Sequence, residues 1–360
     1  MKIVQISAGR DRSVVLASDG SAHGWGGIKR LGATLPPGYP GELCLSSPTE
    51  IGHNRYAQPV PQALNPHQPL AALADGYIET LAVQRSGAVL SYQPIVSDQG
   101  AAHAEIAGLP PGPQQVALTE SASFALYADG SVWSWGLSGY GQLGRVAPSS
   151  LNGPAPITTL APIARLATGN GHVLALDRQG QVWAWGANAA GQLGTGGLAE
   201  SARPTQIKLP ARIQSIAAGD THSFATDSRG RLWGWGANNF GQTGDLAAKY
   251  SSTPVRIHPG FAVAQLDAGM YYTVATSTDG DVFAWGWNGM GQLAQAEVAF
   301  SPQPLRIKGL SRVTRLAAGV GHTLALDAEG VLAWGDNRAS ACGAFPSTAV
   351  QVQPNRIYLA

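Results

Sequence analysis

The chain has 360 residues, of which 12% are charged and 44% hydrophobic, with 46 glycines, 24 prolines and two cysteines. A charge fraction well below the roughly 25% of ordinary soluble domains argues against a disordered chain, and 23 Lys plus Arg against 22 Asp plus Glu leaves a net charge of +1, too little for a general attraction to nucleic acid. No apolar run reaches the ~18 to 20 residues of a membrane span, the start MKIVQISAGRDRS lacks the apolar core of a signal peptide, and two cysteines do not make a disulfide scaffold, so a cytoplasmic monomer without membrane or nucleic-acid partners is expected.

In chain order the first unit is VQISAGRDRSVVLASDGSAHGWG, followed by a Pro/Gly-rich insertion at about 27–58. The second, AALADGYIETLAVQRSGAVLSYQ, and the third, QQVALTESASFALYADGSVWSWGLSGYGQLG, lead into four copies whose first glycines are Gly169, Gly219, Gly269 and Gly319, a period of 50. The turn glycines Gly20, Gly87, Gly130, Gly180, Gly230, Gly280 and Gly330 index seven units. Each unit reads as four short β-runs, for example PTQIK, RIQSIAAG, SFATDS and RLWGWG, separated by turns whose Asp-Gly or Arg-Gly pairs supply the positive φ of tight hairpins. In the last run, large and small residues alternate, as in Val182-Trp183-Ala184-Trp185-Gly186.

Seven four-stranded units at this period imply an all-β fold, a seven-bladed β-propeller of antiparallel blades forming one domain over residues 1–360. With the Pro-x-x-Ile run taken as the first strand of each unit, the chain begins at a second strand and ends on a first one, VQPNRIYLA. The C-terminal strand is therefore expected to pair with the N-terminal blade and close the ring.

A unit that reads AG-x-x-H, an apolar strand, DG, W-x-W-G, N-x-x-G-Q-L-G and then Pro-x-x-Ile resembles the regulator of chromosome condensation repeat family. The resemblance covers nearly the whole chain. It is strong in units 4 to 6 and weakest in unit 2, where Tyr92-Gln93 replaces Trp-Gly. It implies the propeller fold but not one function, since similar propellers act as guanine-nucleotide exchange factors, ultraviolet-B photoreceptors, β-lactamase inhibitors and adaptors. The resemblance places photoreceptor tryptophans directly after the AG glycine, where this chain has Arg10, Tyr77, Glu120, Asn170, Asp220, Met270 and Val320. That branch is disfavoured; nine of the ten tryptophans read as strand residues and Trp287 as lying beyond its strand.

A meander alternates its turns, so the AG-x-x-H turns and GQLG loops share one end of the ring, the AG end. The DG turns share the other, the DG end. Tyr77, Ile78, Asp220, Thr221, Phe240, Met270, Tyr271 and Met290 are the candidate partner-binding residues on the AG end, with Phe240, Met270, Tyr271 and Met290 expected to form one apolar patch.

His172, His222 and His322 recur at one repeat position, but Arg12, Glu79, Ala122 and Tyr272 fill it elsewhere, so a structural role is favoured over a metal ring. Cys44 and Cys342 are candidate reactive thiols in loops that closure brings together, with a disulfide or shared metal as the geometric option and His23 or His53 as a base for Cys44. No catalytic residue, cofactor or metal is expected. The leading expectation is a non-enzymatic protein-binding propeller; the alternatives are exchange on a Ran-type small GTPase, which the resemblance implies, and an enzyme or small-ligand propeller with its site at the channel mouth.

Overall fold

The computed structural model describes residues 1–30, 49–52, 55–64, 68–77, 79–97, 100–148, 150–244, 248–310, 312–343 and 349–359. Blade 1 carries β1 (Ile3–Ala8), β2 (Arg12–Ala17) and β3 (Ala22–Arg30), with β4 (Thr49–Gly52) and β5 (Arg55–Ala63) following. Blade 2 is β6 (Leu70–Asp75), β7 (Thr80–Gln84), β8 (Val89–Ser97) and β9 (Gly100–Glu105), and blade 3 is β10 (Gln115–Leu118), β11 (Ala122–Leu126), β12 (Val132–Gly136) and β13 (Asn152–Pro156). Blade 4 is β14 (Ile163–Thr168), β15 (His172–Asp177), β16 (Val182–Gly186) and β17 (Ser201–Ile207); blade 5 is β18 (Ile213–Ala218), β19 (His222–Asp227), β20 (Leu232–Ala237) and β21 (Tyr250–Ile257). Blade 6 is β22 (Val263–Ala268), β23 (Tyr272–Ser277), β24 (Val282–Trp287) and β25 (Phe300–Arg306); blade 7 is β26 (Arg315–Ala318), β27 (His322–Asp327), β28 (Gly330–Asp336) and β29 (Val350–Ile357). The seven-bladed β-propeller read from the repeats is what forms.

Blades 3 to 7 are separate four-stranded antiparallel sheets in strand order, and the first strand of each blade packs against the first strands of its neighbours to wall a central channel. The phase of the blades differs from the sequence expectation. The C-terminal β29 pairs with β28, completing blade 7 rather than the N-terminal blade, and β5 lies antiparallel along β3 of blade 1. The Pro-x-x-Ile run is the last and outermost strand: Pro204, Pro254, Pro304 and Pro354 all sit on such strands. Proline has no N–H to give a ladder, so it belongs on a strand with one open edge. The ring closes instead by β1 packing on β26 and β27.

The insertion begins as a continuation of regular structure. β3 runs on to Arg30, pairs antiparallel with β5 and, through Lys29 and Arg30, parallel with Ile95 and Val96 of β8, so blades 1 and 2 share one nine-stranded sheet beyond the ring. The remainder of the 27–58 segment, residues 31–48 and 53–54, lies outside the described residues.

Neighbouring blades are stitched by repeated hydrogen bonds. The tryptophan of each strand's Trp-Gly pair donates its indole N–H to the Gln carbonyl of the preceding GQ loop: Trp185 to Gln142 at 2.8 Å, Trp235 to Gln192 at 2.8 Å, Trp285 to Gln242 at 2.9 Å and Trp334 to Gln292 at 2.9 Å. These four indoles are fully buried, which explains both their size and their polar handle.

Candidate functional site

The AG-x-x-H turns ring one mouth of the channel. Backbone N–H groups just after the turn glycine donate to the next blade, Asn170 to Asp220 O, Asp220 to Gly269 O, Met270 to Val320 O and Val320 to Gly9 O, at 3.1 to 3.3 Å. Glycine is required here by proximity. A Cβ on Gly219 would stand 2.5 Å from Gly269 O and 2.2 Å from the His222 ring.

Behind this ring, the histidine of an AG-x-x-H turn, three residues after the glycine, reaches the Ser or Thr of the next blade. His172 Nε2 meets Ser223 Oγ at 2.9 Å, His322 Nε2 meets Ser13 Oγ at 3.0 Å, and His222 Nε2 lies 3.5 Å from Thr273 Oγ1. Ser223 and Thr273 donate their own hydroxyl protons to the carbonyls of Gln192 and Gln242, and Ser13 to Ala341, each at 2.8 to 2.9 Å. The proton between ring and hydroxyl therefore comes from Nε2, leaving Nδ1 bare, and no partner approaches Nδ1 in any of the three. Burial pushes His172 and His222 down to about 3 and His322 to about 4, so all three are neutral.

The non-histidine residues at this position make the same stitch by other chemistry. Tyr272 OH accepts from Thr323 Oγ1 at 3.0 Å, Glu79 Oε1 accepts from Ser123 Oγ at 3.0 Å, and Arg12 donates to Thr80 Oγ1 at 2.8 Å while ion-pairing with buried Asp75. Ala122 makes none. The repeated position is thus an inter-blade joint, and among the described residues no cluster of His, Cys, Asp and Glu is arranged to hold a metal.

At the mouth itself, Tyr77 of blade 2 donates from its hydroxyl to Asp220 Oδ1 of blade 5 at 2.5 Å, crossing the channel. Burial raises both groups out of their ordinary ranges, with the Tyr77 hydroxyl also facing the negative charges of Asp220 and Glu120. Asp220, expected to be displayed to a partner, is only 9% exposed and is engaged by Tyr77. Thr221 is half-buried beside it, and Ile78 lies outside the described residues.

The anticipated apolar patch is partly assembled. Phe240 and Tyr271 have ring centroids 5.4 Å apart, and Trp287 joins them at 6.2 Å and 6.1 Å. Trp287 is the last residue of β24, not a loop residue. Sequence reasoning missed it because its role is visible only once blade 6 carries it toward the GQ loop of blade 5. Met270 lines the channel beside Tyr271, and the repeat register assigns Met290 to the seam between blades 6 and 7, one step round the ring.

A broader feature escaped the sequence. Of the ten large apolar side chains exposed among the described residues, seven are on the AG end: Leu137, Tyr140, Val146 (76% exposed), Leu151 (80%), Leu198, Tyr250 and Phe300. Four of these stand on the single loop between β12 and β13. The sequence signal was the length and apolarity of LSGYGQLGRVAPSSL, which the repeat pattern masked.

The profile of the RCC1-like domain matches residues 38–359, and that of the RCC1 repeat matches residues 3–27. The chain belongs to the RCC1-like domain family. Solved structures similar to it include human WBSCR16, at 23% identity over 87% of this chain and 89% of that one with a TM-score of 0.76. Yeast RCC1 (Prp20) bound to Kap60 matches at 24% identity over 84% and 78% with a TM-score of 0.74. Prp20p of Saccharomyces cerevisiae, described with its binding to Gsp1p and histones, matches at 25% over 84% and 80% with a TM-score of 0.72. No curated protein matches the chain.

In this RCC1-like ring Cys342 is fully buried in the apolar seam between blades 7 and 1, with Ile6, Val15 and Trp25, and burial pushes its thiol well up. A protonated, enclosed thiol is a poor nucleophile, so the structure gives Cys342 a packing role; Cys44 and His53 lie outside the described residues. Among the described residues no helix is long and apolar enough to cross a membrane.

Proposed function

We propose that this RCC1-like propeller docks a protein partner on its AG end. The observation that carries the reading is the concentration of exposed apolar side chains there, above all on the loop holding Leu137, Tyr140, Val146 and Leu151. Exposed apolar side chains gathered on one face mark contact surfaces, and turns anchored on a rigid ring keep the ordering cost of binding low. The aromatic group Phe240, Tyr271 and Trp287, with Met270 and Met290 on adjoining turns, extends the surface round the ring. The likeness to Prp20p, described with its binding to Gsp1p and histones, supports a protein as the class of partner.

Affinity capture from lysate with the wild-type chain and with Tyr140→Ser/Leu151→Ser tests the reading. The variant is expected to melt like wild type and to lose the captured protein; an unchanged set of captured proteins refutes it. Exchange on a Ran-type GTPase is the second reading, supported by the same likeness. Its test is release of labelled GDP, and absence of acceleration removes it. Asp220 is not offered as its contact, because it is enclosed and held by Tyr77.

A further inference from the structure

The channel has two chemically different mouths. On the AG side the Tyr77 crossbar to Asp220 spans it, with Glu120 and Arg10 near the Tyr77 hydroxyl. Toward the DG side the lining includes Arg165, Arg229 and Arg315, together with Asp227. The residue four before the turn position of each unit lines the wall there, and it is Gln5, Ala72, Gln115, Arg165, Ser215, Gln265 and Arg315 round the ring. The three glutamines are committed to backbone groups of the next blade: Gln115 Nε2 donates to Leu166 O at 2.8 Å, Gln265 Nε2 to Thr314 O at 2.7 Å, and Gln5 to Leu73 O. The arginines are not so committed. Among the described residues, Arg165 is exposed and has no hydrogen-bond or ion-pair partner, Arg315 reaches only its neighbour's carbonyl, Thr314 O at 3.0 Å, and the exposed Arg229 side chain on the blade 5 turn lines the same cavity without a carboxylate partner. Of the carboxylates at this end, Asp227, Asp281 and Asp327 are paired with Arg231, Arg306 and Arg356, Asp267 on the channel wall accepts from the backbone N–H groups of Ala268 and Ala318, and Asp19 and Asp129 accept from the serines of their own turns. Lys208, Arg212, Lys308 and Arg312 are exposed on the surrounding linkers.

We infer that the DG mouth of the channel is a binding site for a compact polyphosphate, gripped by Arg165, Arg229 and Arg315. Three guanidinium forks without carboxylate partners match a ligand carrying three or more charges, because each fork pairs two parallel N–H groups with two oxygens. The cavity, at about 1330 Å³, is roomy for a small molecule. The Tyr77 crossbar to Asp220 narrows the far mouth, so the site is a well entered from the DG side. Large apolar side chains are sparse there, with Val4, Met1 and Tyr358 the exposed ones among the described residues, which disfavours a protein-type interface on that end.

Sodium tripolyphosphate titrated into the full chain at low ionic strength, read by calorimetry, tests the site. One equivalent is expected to bind, with affinity falling roughly tenfold for each of Arg165→Gln, Arg229→Gln and Arg315→Gln, and little for Lys308→Gln on the rim. Thermal melting of the exposed arginine variants is expected to match wild type; should the pair Arg165→Gln/Arg315→Gln melt early, Arg229→Gln alone decides. Absence of binding, or binding that survives all three substitutions, overturns the assignment. Citrate binding as tightly as tripolyphosphate overturns the phosphate preference. A thymidine oligonucleotide that binds more tightly than tripolyphosphate and weakens with Lys308→Gln moves recognition to the open surface and overturns the channel site.

Discussion

The neutral histidines make the ring acid-labile in a way that can be worked through. His172, His222 and His322 are held near 3, 3 and 4 in the folded chain, against about 6.5 for an unfolded histidine. A depressed folded value means that the unfolded state binds the proton more readily, so stability is complete above pH ~6.5 and drains as pH falls toward the folded values. Between pH 7 and 5 the folded rings stay neutral whether their value is 3 or 4. The loss is set by the unfolded state alone, about 1.9 kcal/mol per histidine and between about 5 and 6 for the three. Asp267 works in the opposite direction. Burial on the channel wall, against N–H bonds from Ala318 and Ala268, raises it to about 6, and a carboxyl raised in the fold gains stability as pH falls, about 1.3 kcal/mol over the same interval. Asp75 and Asp220, also raised by burial, offset a further part. A net loss of up to about 4 kcal/mol is comparable with much of a domain's total stability. Urea unfolding at pH 7 and pH 5 measures it. In His172→Gln the pH-dependent loss should shrink by about 1.9 kcal/mol, even if stability at pH 7 also drops. An identical pH dependence in wild type and variant would refute the neutral buried joint.

Other outcomes follow from the same geometry. Gly219→Ala forces a Cβ against Gly269 O and the His222 ring and should destabilise by about 1 to 3 kcal/mol, whereas Gly197→Ala, with open space round it, should stay within about 0.5 kcal/mol in the same denaturant titration. Arg12→Met leaves Asp75 buried without its ion pair and should cost about 3 to 5 kcal/mol; Arg12→Met/Asp75→Leu should be less destabilised than the single variant, read by melting. Tyr77→Phe removes the crossbar bond to Asp220 and should lower stability by about 1 to 3 kcal/mol, without altering capture of an AG-end partner. Trp235→Phe, which loses the indole bond to Gln192 O, should cost more than Trp183→Phe, whose indole bonds Asp177 of its own blade and is only partly buried.

The candidate site was legible in parts that depend on repeat position. Phe240 and Tyr271 were placed on one end by turn alternation alone, because antiparallel strands reverse at each turn whatever the tertiary packing. Tyr77 and Asp220, 143 residues apart, carry no local signal that they touch. Their contact exists because blades 2 and 5 face each other across a ring, a distance no spacing in the chain encodes. The same holds for the channel: Arg165 and Arg315 come to line one cavity only through closure of the ring, which a net charge of +1 does not reveal.

The 50-residue period, the turn glycines and the alternating tryptophan strands determine by themselves that seven β-meanders form and that they repeat, since hairpin turns and strand alternation are local properties of the backbone. Where each blade begins was not determined, because a periodic pattern has no intrinsic phase and the Pro-x-x-Ile run adjoins two blades in the chain. Tertiary packing decided it. The proline-bearing strands take the open outer edge, the first strand of each unit faces the channel, and β29 stays with blade 7. The ring then brings charges and aromatic rings from different blades onto two unlike ends, which only a closed structure can define.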